Sequence, residues 1–438
     1  MTENNNLVSN ITSNGIEEVE FDTISGLRGV VYIQEDVKVT GKGTVCNQYT
    51  FEKKGEDINI VAWTLNGEKQ SGTFPQKDDG YLFESVECTN GTVATWNNET
   101  YKLTLESINT PTVCTINFVE YSTQYLYTHI LQDNPNVSRR SSFNTIFTES
   151  NNGNTIYKAS GQDGKDTYYF AGAVTNNYVY FGGYYWRIVR INEDNSVRLI
   201  YAGTSASDTS AFINTNTMYN PSNVNSSYVG YMYTASEQFG LSTNSTIKTT
   251  VDNWYASNLL NSYDGYISRT AVYCNDRTIV SGSWSSTHYY APYTRLYTNK
   301  TPTYTCTNVN DRFTGSTLTG NGALTYPIGL ITADEISYAG GLYGTNNTSY
   351  YIAQNASSGA SYWWTMSPSN WDIYNGAYVF SVGGSSNAGF LSYDIVHDTN
   401  GVRPVISLKS CVLYSGGFGT VTDPYTVELT DACAIAEN

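Results

Sequence analysis

Between residues 370 and 397 the chain gathers side chains suited to holding a partner rather than breaking a bond. Asn370, Trp371, Asp372, Tyr374, Asn375, Asn387, Phe390, Tyr393, Asp394 and His397 lie among small residues in "NWDIYNGAYVFSVGGSSNAGFLSYDIVHD". Broad rings give contact area at low entropic cost, and short amides give adaptable hydrogen bonds, the pairing that antibody binding loops use. These ten residues form the candidate ligand-binding set. The plain alternative is an Asn-rich loop in a chain that has 39 tyrosines anyway.

Reaction chemistry finds less support. The sequence has no G-x-S-x-G, no H-E-x-x-H and no phosphate-binding glycine loop. Asp372, Asp394 and Asp398 lack the spacing of a calcium loop, so neither a metal nor another cofactor is expected. Asp334 and Glu335 fall at the start of a predicted helix, where negative charge is favoured. A carboxylate pair for glycoside hydrolysis needs only proximity in space, which leaves that route open, but no constellation points to an enzyme.

Seven cysteines occur with only three histidines and no C-x-x-C pair, which disfavours zinc. They fall into close sequence pairs, Cys88 with Cys114, Cys274 with Cys306 and Cys411 with Cys433, and Cys46 is left over. We read the pairs as disulfides of an exported protein, with buried thiols in a reducing compartment as the alternative. A net charge of -16 argues against a nucleic-acid partner. No apolar run approaches the roughly 20 residues of a membrane helix. "MTENNN" has neither the basic start nor the apolar stretch of a signal peptide, so membrane attachment is expected only through an anchor outside this chain.

The elements that must position these residues are mostly strands. Glu, Lys, Gln and Met are scarce, whereas Tyr, Thr, Asn and the 37 glycines are abundant, a composition for strands joined by turns. The expected fold class is β-rich and multidomain. Residues 37–121 carry short alternating runs such as "DINIVAWTL" and "TVCTINFVEY", which predict an immunoglobulin-like β-sandwich with Trp63, Phe83, Trp96, Leu103, Leu105 and Ile116 in its core. Residues 1–36 form an N-terminal β segment, read as part of that sandwich, a linker or an assembly element. Residues 122–165 lose the alternation and read as a connector, with one helical turn around Tyr125 to Leu131 and the Arg139-Arg140 pair in a solvated turn. Residues 166–438 read as an α+β unit. In it "YVYFGGYYWRIVRI" is a hairpin around Gly182-Gly183. Two short helices follow, one in "TTVDNWYASNLLN" and one in "ITADEISYAGG", where Thr332 and Glu335 have capping-box spacing and Gly340-Gly341 give a stop.

In chain order, "YVYFGGYYWRIVRI", "NWYASNLLNSYDGYISRTAVYCNDR", "NDRFTGSTLTGNGALTYPIGLITADEISYAGG", "SYWWTMSPS", "GVRPVISLK" and "GGFGTVTDPYTV" resemble extracellular proteins of gut Firmicutes and related bacteria. The C-terminal unit of those proteins is similar to the C-type-lectin-like fold, which formylglycine-generating enzymes share. The stretch from Glu87 to Phe118 likewise looks like the Cys-bearing β-domain that precedes such units, which supports a Cys88–Cys114 bridge. The resemblance implies a fold whose chain ends meet in one sheet and whose long excursion carries ligand contacts. Trp363, Trp364 and Met366 would then anchor core, Pro368 would fix an exit turn, and Arg403 would hold loop carbonyls.

Domains of this type are also the usual targets of diversity-generating retroelements. An Asn codon randomised at its adenines yields no Lys, Gln, Glu, Met or Trp. From Ser367 to Asn400 the first four are absent, and Trp371 is the exception. The implied function is a secreted or cell-surface recognition protein or adhesin. Its expected partner is a protein or glycan on a host, bacterial or phage surface. A pilin-like or fibre subunit that self-assembles through its N-terminal β region is the alternative.

Overall fold

The computed structural model describes residues 125–436 throughout and, before them, strand segments between residues 7 and 120. The chain divides into two compact units, Met1–Thr123 and Gln124–Asn438. Strand predominates in both, so the β-rich, multi-sheet character read from composition holds.

In the first unit Leu7–Thr12 and Gly15–Glu20 form an antiparallel hairpin. A four-stranded sheet runs in the order Glu68–Ser71, Ala62–Leu65, Cys114–Glu120, Tyr81–Cys88. Alternation along these strands and along the Val93–Asn97/Lys102–Glu106 hairpin buries Leu103, Ile116 and Phe118. The Phe83 and Trp96 rings stack 5.0 Å apart over the edge of Phe118. Cys88 and Cys114 are directly opposed across their strands and bonded. Cys46 and the Trp63 side chain lie outside the described residues.

The second unit is built on two sheets. One has the order Asn136–Ser138, Thr155–Ser160, Asp166–Tyr169, Tyr184–Ile191, Val197–Tyr201, Pro404–Leu408, Gly329–Leu330, and Tyr178–Phe181 also pairs with Tyr184–Ile191. The hairpin turn falls at Gly182-Gly183, whose φ values of 64° and 83° are why glycine stands there. The other sheet has the order Asn214–Met218, Thr399–Val402, Tyr362–Asp372, His288–Tyr290, Ile279–Ser281. Gly376–Gly383 folds back on Tyr362–Asp372, and Leu391–Ile395 folds back on Gly376–Gly383. Trp186, Trp363, Trp364 and Met366 are fully buried in one core.

Helix Thr246–Asn258 starts at Ser245, whose side chain accepts from the Lys248 N–H. Helix Ala333–Ala339 has the complete Thr332/Glu335 capping box and ends at Gly340. The expectation of two helices is too few. Leu126–Asp133 is a helix where the sequence reads one helical turn, and Leu260–Tyr263, Ala291–Tyr293, Tyr351–Gln354 and Asp431–Ile435 are also helical, as single turns held by tertiary packing rather than by propensity.

Residues 125–160 are likewise not a connector. Leu126 and Ile130 enter the main core, and two strands of the first sheet come from this segment. Arg140, expected in a solvated turn, donates to the carbonyls of Ser337 and Tyr338 at the end of helix Ala333–Ala339 and lies over the Phe143 and Phe147 rings. Sparse apolar residues separated by Asn and Ser hid these packing roles.

The ends of the second unit meet. The Leu126 N–H donates to Val412 O at 2.9 Å, Tyr125 bridges to Leu413, and the Tyr180 N–H donates to Tyr425 O. The tail is fixed by the Cys411–Cys433 bond and by Lys409 Nζ, which donates to Ala436 O at 2.6 Å. Cys274 and Cys306 form the third disulfide. All three expected pairs are therefore bonded. No helix among the described residues is long and apolar enough to cross a membrane.

The chain passes from the second sheet to the first at Arg403, which is fully buried. Its Nε and Nη2 donate to Tyr201 O and its Nη1 to Ile352 O, with the Trp363 ring 5.0 Å away. Burial pushes this guanidinium down to about 9, so the fold bears a desolvation cost to keep it. Arg403→Ala should lower stability by about 3–5 kcal/mol, because two buried carbonyls lose their donor and a cavity opens beside Trp363. Urea unfolding measures this. A loss below about 1 kcal/mol would mean that those carbonyls find other partners.

Candidate ligand-binding surface

The ten sequence-predicted residues fall into three places. Gly376–Gly383 carries a turn at each end, about 25 Å apart at roughly 3.3 Å of rise per residue. At one end, Asp372, Tyr374 and Asn375 form the tip, beside Asn370 and Trp371, and the His397 turn joins them through the Val396 N–H to Ala377 O bond. At the other end are Asn387 and Phe390. Tyr393 and Asp394 lie between, on opposite faces of the Leu391–Ile395 strand. The ten therefore do not form one contiguous surface.

Several of them serve the scaffold. Asp372 Oδ1 accepts from the N–H groups of Tyr374 and Asn375 and from Asn375 Nδ2, so it shapes the tip. Asn370 is buried, and Trp371 packs against the main core. Asn387 has φ 53° and donates to the Tyr362 hydroxyl. Burial pushes the Asp394 carboxyl up, and Asn400 Nδ2 donates to it at 2.9 Å. Tyr374 is 92% exposed, and Asn375 and His397 are exposed as well.

The interval from 369 to 400 is also less free of core duty than its composition implies. Ala377, Val379, Phe380, Val382, Leu391 and Val396 are buried. Pro368 does not make an exit turn. It lies inside the Tyr362–Asp372 strand at a register shift, a position that tolerates the missing donor.

What the structure assembles instead is a tyrosine platform. Tyr289, Asn370, Tyr378 and Ile395 occupy one cross-strand row. Beside it, the Tyr289 and Tyr293 centroids are 4.4 Å apart and those of Tyr293 and Tyr297 are 4.8 Å apart. Tyr343 meets Tyr297 at 4.7 Å and Tyr393 at 5.9 Å, and Tyr393 meets Tyr378 at 5.6 Å and Tyr293 at 6.1 Å. All six rings are half-buried or exposed, and beneath them Phe380 is buried.

Local structure explains the placement. Residues 291–293 begin a helix with Pro292 in its first turn, and Thr294–Asn299 continues as a π-helical turn. A wide turn of this kind stacks side chains four apart, which aligns Tyr293 with Tyr297, and such turns concentrate at functional sites. Tyr343 follows helix Ala333–Ala339 and is tied to the sheet by its bridge to Leu391 and by the Gly344 N–H to Leu391 O bond.

Burial, reinforced by neighbouring phenols, pushes Tyr293 up to about 12 and raises Tyr343 further. The Tyr293 and Tyr343 phenols are therefore neutral at physiological pH, and the platform is flat-ringed and rich in hydroxyls. Only Tyr393 of these six belongs to the sequence-predicted set. The i, i+4 spacing of Tyr289, Tyr293 and Tyr297 was the available signal. Nothing in the sequence connects those residues to Tyr343 or Tyr393.

A polar cavity of about 240 Å³ lies elsewhere in the unit, lined by Arg190, Arg198, Arg295, Asp276, Asp334 and Glu335 among others. The charges of these six residues are paired. Glu335 meets Arg198 at 2.6 Å and Arg190 at 3.2 Å, and Arg295 bridges Asp276 at 2.7 Å and Asp334 at 2.9 Å. The two acids read at a helix start thus serve an ion-pair network in addition. Among the described residues no three His, Cys, Asp or Glu side chains converge on a metal position.

In comparisons with known proteins, no family model, no curated protein and no solved structure matches this chain. The residues themselves must carry the functional reading.

The scaffold and surface roles separate in a stability experiment. Tyr374→Ala and His397→Ala should each change unfolding free energy by no more than about 0.5 kcal/mol. Trp371→Ala should cost about 2 kcal/mol, because part of a large ring leaves the core. Equal effects in urea titrations would show that this division of the hairpin is wrong.

Proposed function

We propose that the protein is a secreted or cell-surface recognition protein, in which an immunoglobulin-like β-domain precedes a C-type-lectin-like head. The observation that carries the reading is the six-tyrosine platform, because aromatic rings half-exposed together on a rigid sheet supply contact area with little entropy left to lose. The partner is a protein or glycan on another surface.

Support for the lectin-like head comes from the meeting of its chain ends, its two sheets and the hairpins stacked on Tyr362–Asp372. Three disulfides suit an oxidising environment. In the test, labelled full-length protein is used to probe bacterial, host and phage surface material. Tyr293→Ala combined with Tyr393→Ala should reduce capture at least tenfold, as expected when central aromatic anchors are lost. Undiminished capture by the folded double variant removes the platform from the function.

The reading extends to diversification of the same head by a retroelement. Exposed or half-exposed positions such as Tyr374, Asn375, Tyr393 and His397 would vary, while buried Ala377, Val379 and Leu391 would stay fixed. A reverse transcriptase gene beside this one, with a near-copy of the DNA for residues 361–409, is the expected finding. A neighbourhood with neither rules diversification out.

A further inference from the structure

Lys300 stands at the edge of the tyrosine platform in a left-handed conformation, φ 55°, immediately after the Thr294–Asn299 π-helical turn. Its Nζ lies 5.7 Å from the centroids of both Tyr297 and Tyr343. Positive φ is uncommon for a residue with a long side chain and, like the π turn before it, marks a place held by its surroundings rather than by local preference.

The partners of the other lysines drawn away from solvent, Lys248 and Lys409 buried and Lys158 part-buried, make Lys300 stand out. Lys158 pairs with Asp166, Lys248 pairs with Asp252, and Lys409 reaches three carbonyls. Lys300 is also part-buried, burial lowers its pKa, and among the described residues no ion pair engages its Nζ. In a chain where acids outnumber bases 39 to 23, a cation set beside half-exposed rings is placed to meet an anion from outside the chain.

We propose that the platform takes an acidic glycan, with sugar rings lying on the phenol faces and one sugar carboxylate held by Lys300. This deepens the recognition reading and rests on it. The ligand class follows from what the rings offer. Phenol faces meet the C–H faces of a sugar ring, and the hydroxyls at their rims donate to and accept from its hydroxyls. The charge follows from Lys300, whose ammonium gains an ion pair where it now has only ring faces. The net charge of -16 disfavours a heavily charged polyanion, so a glycan with few carboxylates is selected.

Isothermal titration of the full chain with four sugars tests this. The probes are 3′-sialyllactose and a glucuronate-terminated disaccharide, each compared with its neutral counterpart, and they separate sialic from uronic acid as the source of the carboxylate. At least one acidic sugar should bind about tenfold more tightly than its counterpart, the ratio expected for one charge-assisted contact. Lys300→Gln should erase that ratio while leaving neutral-sugar binding in place, and Lys300→Arg should keep most of it. Equal binding of acidic and neutral sugars by the native protein, a preference that survives Lys300→Gln, or no binding of any of the four overturns the proposal. The recognition reading fails separately, when the Tyr293 and Tyr393 substitutions leave capture of surface material unchanged.

Discussion

Two buried guanidinium groups that pair with no carboxylate among the described residues set the constraint around which the second unit is arranged. Arg403 sits where the chain crosses between sheets, and Arg187 is fully buried nearby, close enough for its charge to disfavour that of Arg403. Neither charge is neutralised by an acid. Carbonyls and aromatic faces take that part instead: Tyr201 O, Ile352 O and Trp363 for Arg403, and Val174 O, Asn177 Oδ1 and the Tyr178 ring for Arg187. Such an arrangement holds only when many donor and acceptor directions are satisfied together, which fixes the strand ends and the 350s turn relative to one another. The platform connects to that joint through the Tyr362–Asp372 strand, whose Trp363 ring lies against Arg403 and whose Asn370 pairs with Tyr289.

Six acidic side chains serve two uses in this unit. Glu335, Asp334, Asp276 and Asp311 are buried and paired with arginines, tying the helix at Ala333 and the Asp276 and Asp311 segments into the fold. Asp372 and Asp398 remain near Tyr378 at one end of the platform, and Lys300 stands near Tyr297 at the other. The surface is thus neutral along its rings and carries opposite charges at its limits, which gives a bound ligand a direction.

Local chemistry was readable wherever it is carried by neighbours in sequence. The Gly182-Gly183 turn and the Thr332/Glu335 cap follow from residues within one turn of each other, and the three cysteine pairs follow from nearness in the chain, 22 to 32 positions apart. Reading failed where a residue's role depends on distant partners. Arg140 looked solvated because its acceptors, Ser337 and Tyr338, lie nearly two hundred positions away. Asn387 and Tyr374 looked like members of one loop, yet the period of the strand between them carries them to opposite ends of a hairpin.

By itself, then, the sequence determined the vocabulary: a β-rich, acidic chain with abundant tyrosine, seven cysteines and the aromatic run "WWTMSPS". Periodicity and capping are short-range and leave their mark in consecutive residues. Tertiary structure alone decided which tyrosines share a face. Strand pairing brings Tyr289 beside Asn370 and Tyr378, and a π-helical turn and a bridged loop bring Tyr293, Tyr297 and Tyr343 to Tyr393. Register and loop closure are long-range choices made by the whole core, and no local pattern records them.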